Sequence, residues 1–326
     1  MSEPEAYGRG PFKLYRAGTL TVDPPEWLVR GLLERGCTSE IFGDPGSYKS
    51  FAALDLAACI ATGRRFHGRE VKAGPVVYVA GEGQSGIRRR LRAWEIEHGV
   101  DLSDAPLFVS GGPTALTDSD MVKETVRAVQ AASEASGGVS PVLVVFDTLA
   151  RNLAGDEQST VDTGLMFRRS DEMRALWDCT IMFVHHSGHG AKERSRGSSN
   201  IPASMDVELR ADKDASGVMT ITSRKTKDSA PIEPMAFELH QVPLGIVDEY
   251  GDPVSSAVLR ETEYQEPTAQ PVRGANQRKA LELLAALVRD HRKNVEDSGR
   301  DPEEARVSLE RWKAACKGVG IDRRRF

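Results

Sequence analysis

Eight residues, Gly43-Asp44-Pro45-Gly46-Ser47-Tyr48-Lys49-Ser50, sit between the apolar pair Ile41-Phe42 and a run starting at Phe51 that reads as a helix. Glycines at this spacing let successive backbone N–H groups turn inward around phosphate oxygens. Lys49 is placed to reach the β- and γ-phosphates, and the Ser50 hydroxyl to ligate Mg²⁺ where the helix dipole also favours anions. The segment from Gly43 to Phe51 is therefore expected to bind a nucleoside triphosphate. The competing reading is an ordinary glycine-rich turn before a helix. Tyr48 departs from the pattern, because a glycine usually precedes the lysine. Taken as already helical, it can keep a side chain provided that its ring turns away from the phosphates.

Further along, Val142-Leu143-Val144-Val145-Phe146-Asp147 is an apolar strand ending in an acid, an arrangement that sets a carboxylate beside a phosphate loop to hold Mg²⁺ through its water shell. Val76-Val77-Tyr78-Val79-Ala80-Gly81-Glu82 puts Glu82 just past a strand, at the edge of an open sheet where ligands collect, and a carboxylate there can polarise an attacking water. The alternative is a solvated loop acid. Ile181-Met182-Phe183-Val184 runs into His185-His186-Ser187-Gly188-His189, which could sense a γ-phosphate, ligate a structural metal or simply hydrogen-bond within a loop. The stretch 192–200, with Arg194, Arg196 and Gly197-Ser198-Ser199, is too polar for a core and reads as a mobile loop facing nucleic acid or as a disordered surface loop. Arg210 and the Lys225-Thr226-Lys227 tip are candidate cations for a neighbouring subunit's γ-phosphate.

The elements that must position these groups follow from periodicity. Runs rich in β-branched residues at 76–80, 107–109, 142–146 and 181–184 alternate with helical stretches, mainly 49–61, 86–98, 119–135 and 160–177, the rhythm of a parallel sheet with crossover helices. Short runs at 218–222 and 236–239 read as antiparallel additions at the sheet edge. A linker rich in Glu, Thr, Gln and Pro, 261–273, precedes helical patterns at 276–291 and 302–317.

The 326 residues, 40% of them hydrophobic, suffice for a substantial core. Cys37, Cys59, Cys179 and Cys316 form no C-x-x-C pair, so a disulfide framework or cysteine zinc site is not expected and buried thiols are. Glu3 and Glu5 stand where a signal peptide needs basic residues, and no run of 18 apolar residues occurs, so a cytoplasmic location without membrane contact is expected. The net charge of −5 is uneven. Residues 272–326 carry 14 Lys and Arg against 9 Asp and Glu, a net +5, while the rest carry 29 against 39, a net −10. A basic tail suits nucleic acid or an acidic partner, and equally an ordinary solvated helical face.

Together these residues resemble the RecA-like ATPases, specifically the RepA-type hexameric replicative helicases and related ATPases of phages and mobile elements. The likeness covers residues 24–256 and is carried by Glu26-Trp27-Leu28-Val29-Arg30-Gly31-Leu32-Leu33, the stretch 66–82, Phe146-Asp147-Thr148-Leu149-Ala150-Arg151, His185-His186-Ser187-Gly188 and Arg196-Gly197-Ser198-Ser199. The resemblance implies an α/β fold: a RecA-like P-loop NTPase core with a mainly parallel central sheet and antiparallel edge strands, plus a small helical C-terminal segment. It implies ATP and Mg²⁺ as cofactors, phosphate and metal binding by Lys49 and Ser50, Glu82 as catalytic base, Asp147 as organiser of the metal and His186 as the γ-phosphate sensor. Arg210 or the Lys225/Lys227 pair would act in trans.

The expected organisation is an N-terminal arm (1–23), the ATPase core (24–260), the linker (261–273) and the helical segment (274–326), which looks like the start of a winged-helix unit or packs against the core. The function expected is a hexameric motor on single-stranded DNA, working with replication-initiation or primase proteins, with loops near Gly155 and Gly190 moving with nucleotide state. A filament-forming recombination mediator and a nucleotide-gated DNA-binding regulator are the alternatives.

Overall fold

The β-branched runs become strands of one nine-stranded sheet in the computed structural model, which describes residues 6–7, 13–20, 22, 24–81, 83–188, 194–266, 274–301, 303 and 305–321. In chain order the elements are β1 (Ala6–Tyr7), β2 (Leu14–Tyr15), β3 (Trp27–Val29), β4 (Leu33–Glu34), β5 (Thr38–Gly43), α1 (Lys49–Thr62), β6 (Val76–Ala80), α2 (Gln84–His98), β7 (Leu107–Val109) and α3 (Ser119–Ala135). They continue with β8 (Leu143–Asp147), α4 (Leu149–Leu153), α5 (Thr160–Trp177), β9 (Thr180–His186), α6 (Asn200–Ser204), β10 (Val207–Lys213), β11 (Met219–Thr226), β12 (Met235–Val247), β13 (Pro253–Thr262), α7 (Ala275–Asp297) and α8 (Leu309–Gly318). The sheet order is β13-β12-β11-β10-β5-β9-β8-β6-β7. The pairings from β10 through β5, β9, β8 and β6 to β7 are parallel, and β10 to β13 are joined antiparallel, as in a RecA-like core.

Alternation along the strands splits the core in two. Ile41, Tyr78, Val145 and Val184 face the layer containing α1 and α2, while Val79, Phe146, Ile181 and Phe183 face the layer of α3 to α6. Helix α1 is buried nearly all round, which explains its continuous Ala/Leu/Ile/Cys composition. Its one deeply buried carboxylate, Asp55, is satisfied by Trp94 Nε1 of α2 at 2.8 Å and by His67 Nε2 at 2.7 Å. All four cysteines are buried free thiols, and no described helix is long and apolar enough to cross a membrane.

Several sequence expectations need correction. Strands β10 and β13 lacked an apolar signal, because Glu208, Arg210 and Asp212 interrupt the one and serines the other. β13 reaches Thr262, past the expected start of the linker, and holds itself by a ten-residue pairing with β12. Helix α2 begins at Gln84, two residues early. The described part of 302–308 is not α-helical; α8 starts at Leu309, where the Ser308 hydroxyl caps the Arg311 N–H. Packing divides the chain into Met1–Tyr264 and Gln265–Phe326. The smaller unit closes α7 on α8 through Ala280, Cys316 and Ile321, with Trp312 Nε1 donating to Ala280 O at 2.7 Å.

Two contacts inside the sheet are demanding. A Cβ on Gly43, the last residue of β5, would lie 2.0 Å from the Ala211 carbonyl oxygen of β10. Further along the same pair of strands, Glu40 and Glu208 are register partners, Glu40 with 0% exposure. Burial pushes the Glu40 carboxyl from its usual 4.5 up to about 8, the Glu208 charge adding to the effect and Ser195 and Lys225 opposing it. Burial also raises Glu208, which a hydrogen bond with Glu40 and the charges of Lys225 and Arg224 oppose.

The Gly43→Ala variant is expected to lose about 1–3 kcal/mol of stability in urea titrations, because the clash is with backbone and the strand must shift. For Glu40, the folded chain retains a proton that the unfolded chain releases between about pH 4.5 and 8, so this group's contribution falls as pH rises through that window. Glu40→Gln should therefore flatten the pH dependence. It should be more stable than wild type by ~1–4 kcal/mol at pH 8 and near parity at pH 5 in urea melts at each pH.

Candidate phosphate-binding site

The loop between β5 and α1 is built at the C-terminal ends of parallel strands, where an open α/β sheet gathers ligands. Strand β5 ends at Gly43 because only glycine fits against Ala211 O. The neighbouring β9 secures the other side: Ser187 N donates to Gly43 O at 3.0 Å, and the Ser187 hydroxyl hydrogen-bonds Asp44 Oδ1. Gly46 takes φ +76°, and Ser47 N closes the turn onto Asp44 O at 3.2 Å. The first amides of α1, which have no carbonyl partner within a helix, follow directly.

Tyr48 corrects the sequence reading. It is not yet helical but is the residue preceding α1, with φ +64° and ψ +16°. This left-handed conformation is why glycine is usual there, and it costs an ordinary side chain roughly 1–2 kcal/mol. Its ring stands edge-on to Phe51, with centroids 6.2 Å apart, and beneath Lys213 Nζ, 4.7 Å from the ring centroid.

Lys49 is 5% exposed. Its ammonium donates to Gly43 O at 3.0 Å, Asp44 O at 2.8 Å and Ser47 Oγ at 3.4 Å, so it lies along the inner wall of the loop. Burial lowers its pKa to about 8, against the opposing pull of Asp147 and Asp44.

Asp147, 8% exposed, ends β8 on the face that carries α1. It accepts a hydrogen bond from the Tyr78 hydroxyl at 2.5 Å, and the Ser50 hydroxyl lies near it. Burial raises the Asp147 carboxyl, while the hydroxyls of Tyr78 and Ser50 and the charges of Arg90 and Lys49 act the other way. Burial, with Asp147 alongside, holds the Tyr78 phenol well above its usual value, so Tyr78 is a donor at any working pH. The hydroxyl of Ser50 and the carboxylate of Asp147 are hard oxygen donors close to each other, the donor chemistry that Mg²⁺ takes beside a triphosphate.

The remaining predicted residues are distributed unevenly. Glu82 lies outside the described residues; its neighbour Gly81 donates its N–H to Asp147 O at 2.5 Å, and a Cβ on Gly81 would meet Arg151 Cβ at 2.5 Å. His186 is the register partner of Gly43, so it stands at the sheet edge beside the loop and alternates onto the α1 face. His185 points the other way: burial lowers it to about 4, and the neutral ring donates Nε2–H to Arg196 O at 2.7 Å. His189 lies outside the described residues, as do Gly190 and Lys192.

Arg210 turns to the face opposite α1, its guanidinium 2.7 Å from Asp212. Lys225 Nζ donates to Pro202 O at 2.8 Å, and Lys227 pairs with Asp206 at 3.4 Å. Asp206 in turn accepts from Thr38 N, at the start of β5 and thus about 17 Å of strand away from the loop. Lys225 and Lys227 make these contacts away from the phosphate loop, and Arg210 is the register partner of Phe42, on the face opposite α1.

The described part of the basic stretch also differs from expectation. Ser195 and Ser198 are buried, Arg196 is ion-paired with Glu157, Ser198 N donates to Glu157 O at 2.7 Å, and a Cβ on Gly197 would lie 2.7 Å from that carbonyl. Residues 194–199 are anchored to the core, because their small side chains allow a tight approach that their polarity does not advertise. Sequence reasoning missed three groups around the loop: Tyr78, Lys213 and Arg90, whose guanidinium lies 4.3 Å over the Phe51 ring. Tyr78 was hidden in an apolar run. Lys213 and Arg90 are brought in by β10 and α2 from distant sequence, with no spacing signal.

A family model described as an AAA domain matches residues 13–192 of the 326. The match spans the loop from Gly43 to Phe51, Asp147 and the His185-His186-Ser187 turn, the parts that converge in the geometry above. The chain belongs to the AAA domain family and is a P-loop ATPase.

Proposed function

We propose that this chain is one subunit of a RecA-like, ring-forming motor of the RepA-type helicase kind, which hydrolyses ATP with Mg²⁺ and moves on single-stranded DNA during replication of a phage or mobile element. The observation that carries the chemistry is the convergence of Lys49, Ser50 and Asp147 on one loop whose backbone is locked by Gly43 and Ser187.

In this reading the loop amides and Lys49 bind the β- and γ-phosphates, and burial of Lys49 strengthens its pull on them. Ser50 and Asp147 hold Mg²⁺, which when bound neutralises charge developing on the phosphates. Glu82 takes a proton from the attacking water and His186, beside Gly43, senses the terminal phosphate. Lys225 and Lys227, remote from the loop of their own chain, serve a neighbouring protomer, with Arg210 as the alternative finger. Hexameric assembly fits that arrangement, and the net +5 of residues 272–326 suits DNA or an acidic replication partner such as a primase or initiator.

Steady-state ATP turnover with and without single-stranded DNA tests the reading. Lys49→Ala should abolish tight nucleotide binding. Glu82→Gln should retain binding and lose turnover by ~10²–10⁴, the usual contribution of a positioned base. Turnover per wild-type protomer should rise with protein concentration as rings assemble. Normal hydrolysis by Lys49→Ala would remove the site assignment, and turnover without strand displacement on a forked duplex would remove the helicase part.

A further inference from the structure

Resting on the triphosphate reading above, we infer that Lys213 is a second phosphate-binding cation supplied by the same chain, and that Tyr48 is the residue that stations it at the mouth of the loop. The placement is set by the backbone. Strand β10 is pressed against the start of the loop, where Ala211 O abuts Gly43, so the next residues of β10 pass along the loop's outer side. Leu209, Ala211 and Lys213 alternate onto the α1 face, and Lys213 is the exposed end of that series. Its Nζ lies 4.7 Å from the Tyr48 ring centroid, and a Cβ built on Gly46 would be 3.9 Å from it.

Two cations thus bracket the loop. Lys49 lines the buried inner wall, bonded to Gly43 O and Asp44 O, and Lys213 stands over the exposed Gly46 turn. In this proposal the terminal group of a phosphate chain held by the loop amides comes within reach of the lysine that stands over Gly46. A lysine on a flexible four-carbon stem suits a point contact with such a group. A cation–π contact at an exposed site is weak enough to be exchanged for a phosphate oxygen. The arrangement also gives a reason for a tyrosine at a backbone conformation that favours glycine: the ring is the perch.

Equilibrium binding of a non-hydrolysable ATP analogue and of ADP, each with Mg²⁺, tests this without turnover. Lys213→Ala and Lys213→Met should lose about tenfold or more in affinity for the triphosphate, the value of one charge-assisted hydrogen bond, and less than about threefold for ADP. Lys213→Arg should keep the triphosphate preference. Tyr48→Phe should match wild type, whereas Tyr48→Gly, which suits the backbone but removes the ring, should narrow the triphosphate-to-diphosphate ratio. Equal losses for both nucleotides in Lys213→Ala, or none, overturn the assignment. If wild type binds nucleotide and Lys49→Ala does not while Lys213→Ala discriminates as wild type, only the role of Lys213 falls. If wild type binds neither nucleotide, the site reading falls and takes this inference with it.

Discussion

Everything at the phosphate loop depends on one crowded point, where the Gly43 backbone passes so close to the Ala211 carbonyl that a methyl group would sit 2.0 Å from it. That contact welds β5 to β10, while Ser187 welds it to β9 by a bond to Gly43 O. A loop clamped on both flanks has its amides oriented before any anion arrives, and preorganised donors bind developing charge without further reorganisation. The ammonium of Lys49, bonded to the carbonyls of Gly43 and Asp44, is part of the same clamp. Binding and fold are therefore one constraint at this position.

Buried charge recurs around the site, and its treatment differs with purpose. Asp55, deep in α1, has neutral or histidine donors on its oxygens and ties α1 to α2. Asp147 is held by the Tyr78 hydroxyl and lies beside Ser50 at the start of α1. Glu40 and Glu208, by contrast, face each other inside the sheet, where desolvation and mutual repulsion favour a shared proton. The first arrangement is packing, the second prepares a cation site, and the third places a titratable pair beneath Ser195 of the anchored basic stretch.

The chemistry of the loop was legible because phosphate binding demands glycine, lysine and hydroxyl residues at fixed spacing, and Asp147 was legible because an apolar strand ending in an acid is a visible event. The parallel strands were legible for the same reason: burial on both faces leaves continuous β-branched runs. Strand β10 was not, since its Glu208 is buried beside the register partner Glu40, a pairing no local pattern reveals. The left-handed backbone of Tyr48 was also invisible, because a tyrosine carries no mark of positive φ, and the neighbourhood of Lys213 and Tyr48 exists only through tertiary packing. Buried serines at 195 and 198 misled in the opposite sense, since polarity suggested exposure where backbone bonds of residues 194–198 to His186, Gly188 and Glu157 hold the segment against the core.

The most direct measurement is a crystal structure with a non-hydrolysable ATP analogue and Mg²⁺. The account predicts the β- and γ-phosphates enclosed by the amides of residues 44–50, Lys49 Nζ on a phosphate oxygen, and Mg²⁺ beside Ser50 and Asp147. Nucleotide bound elsewhere on the chain, with the loop still closed on itself, would contradict it.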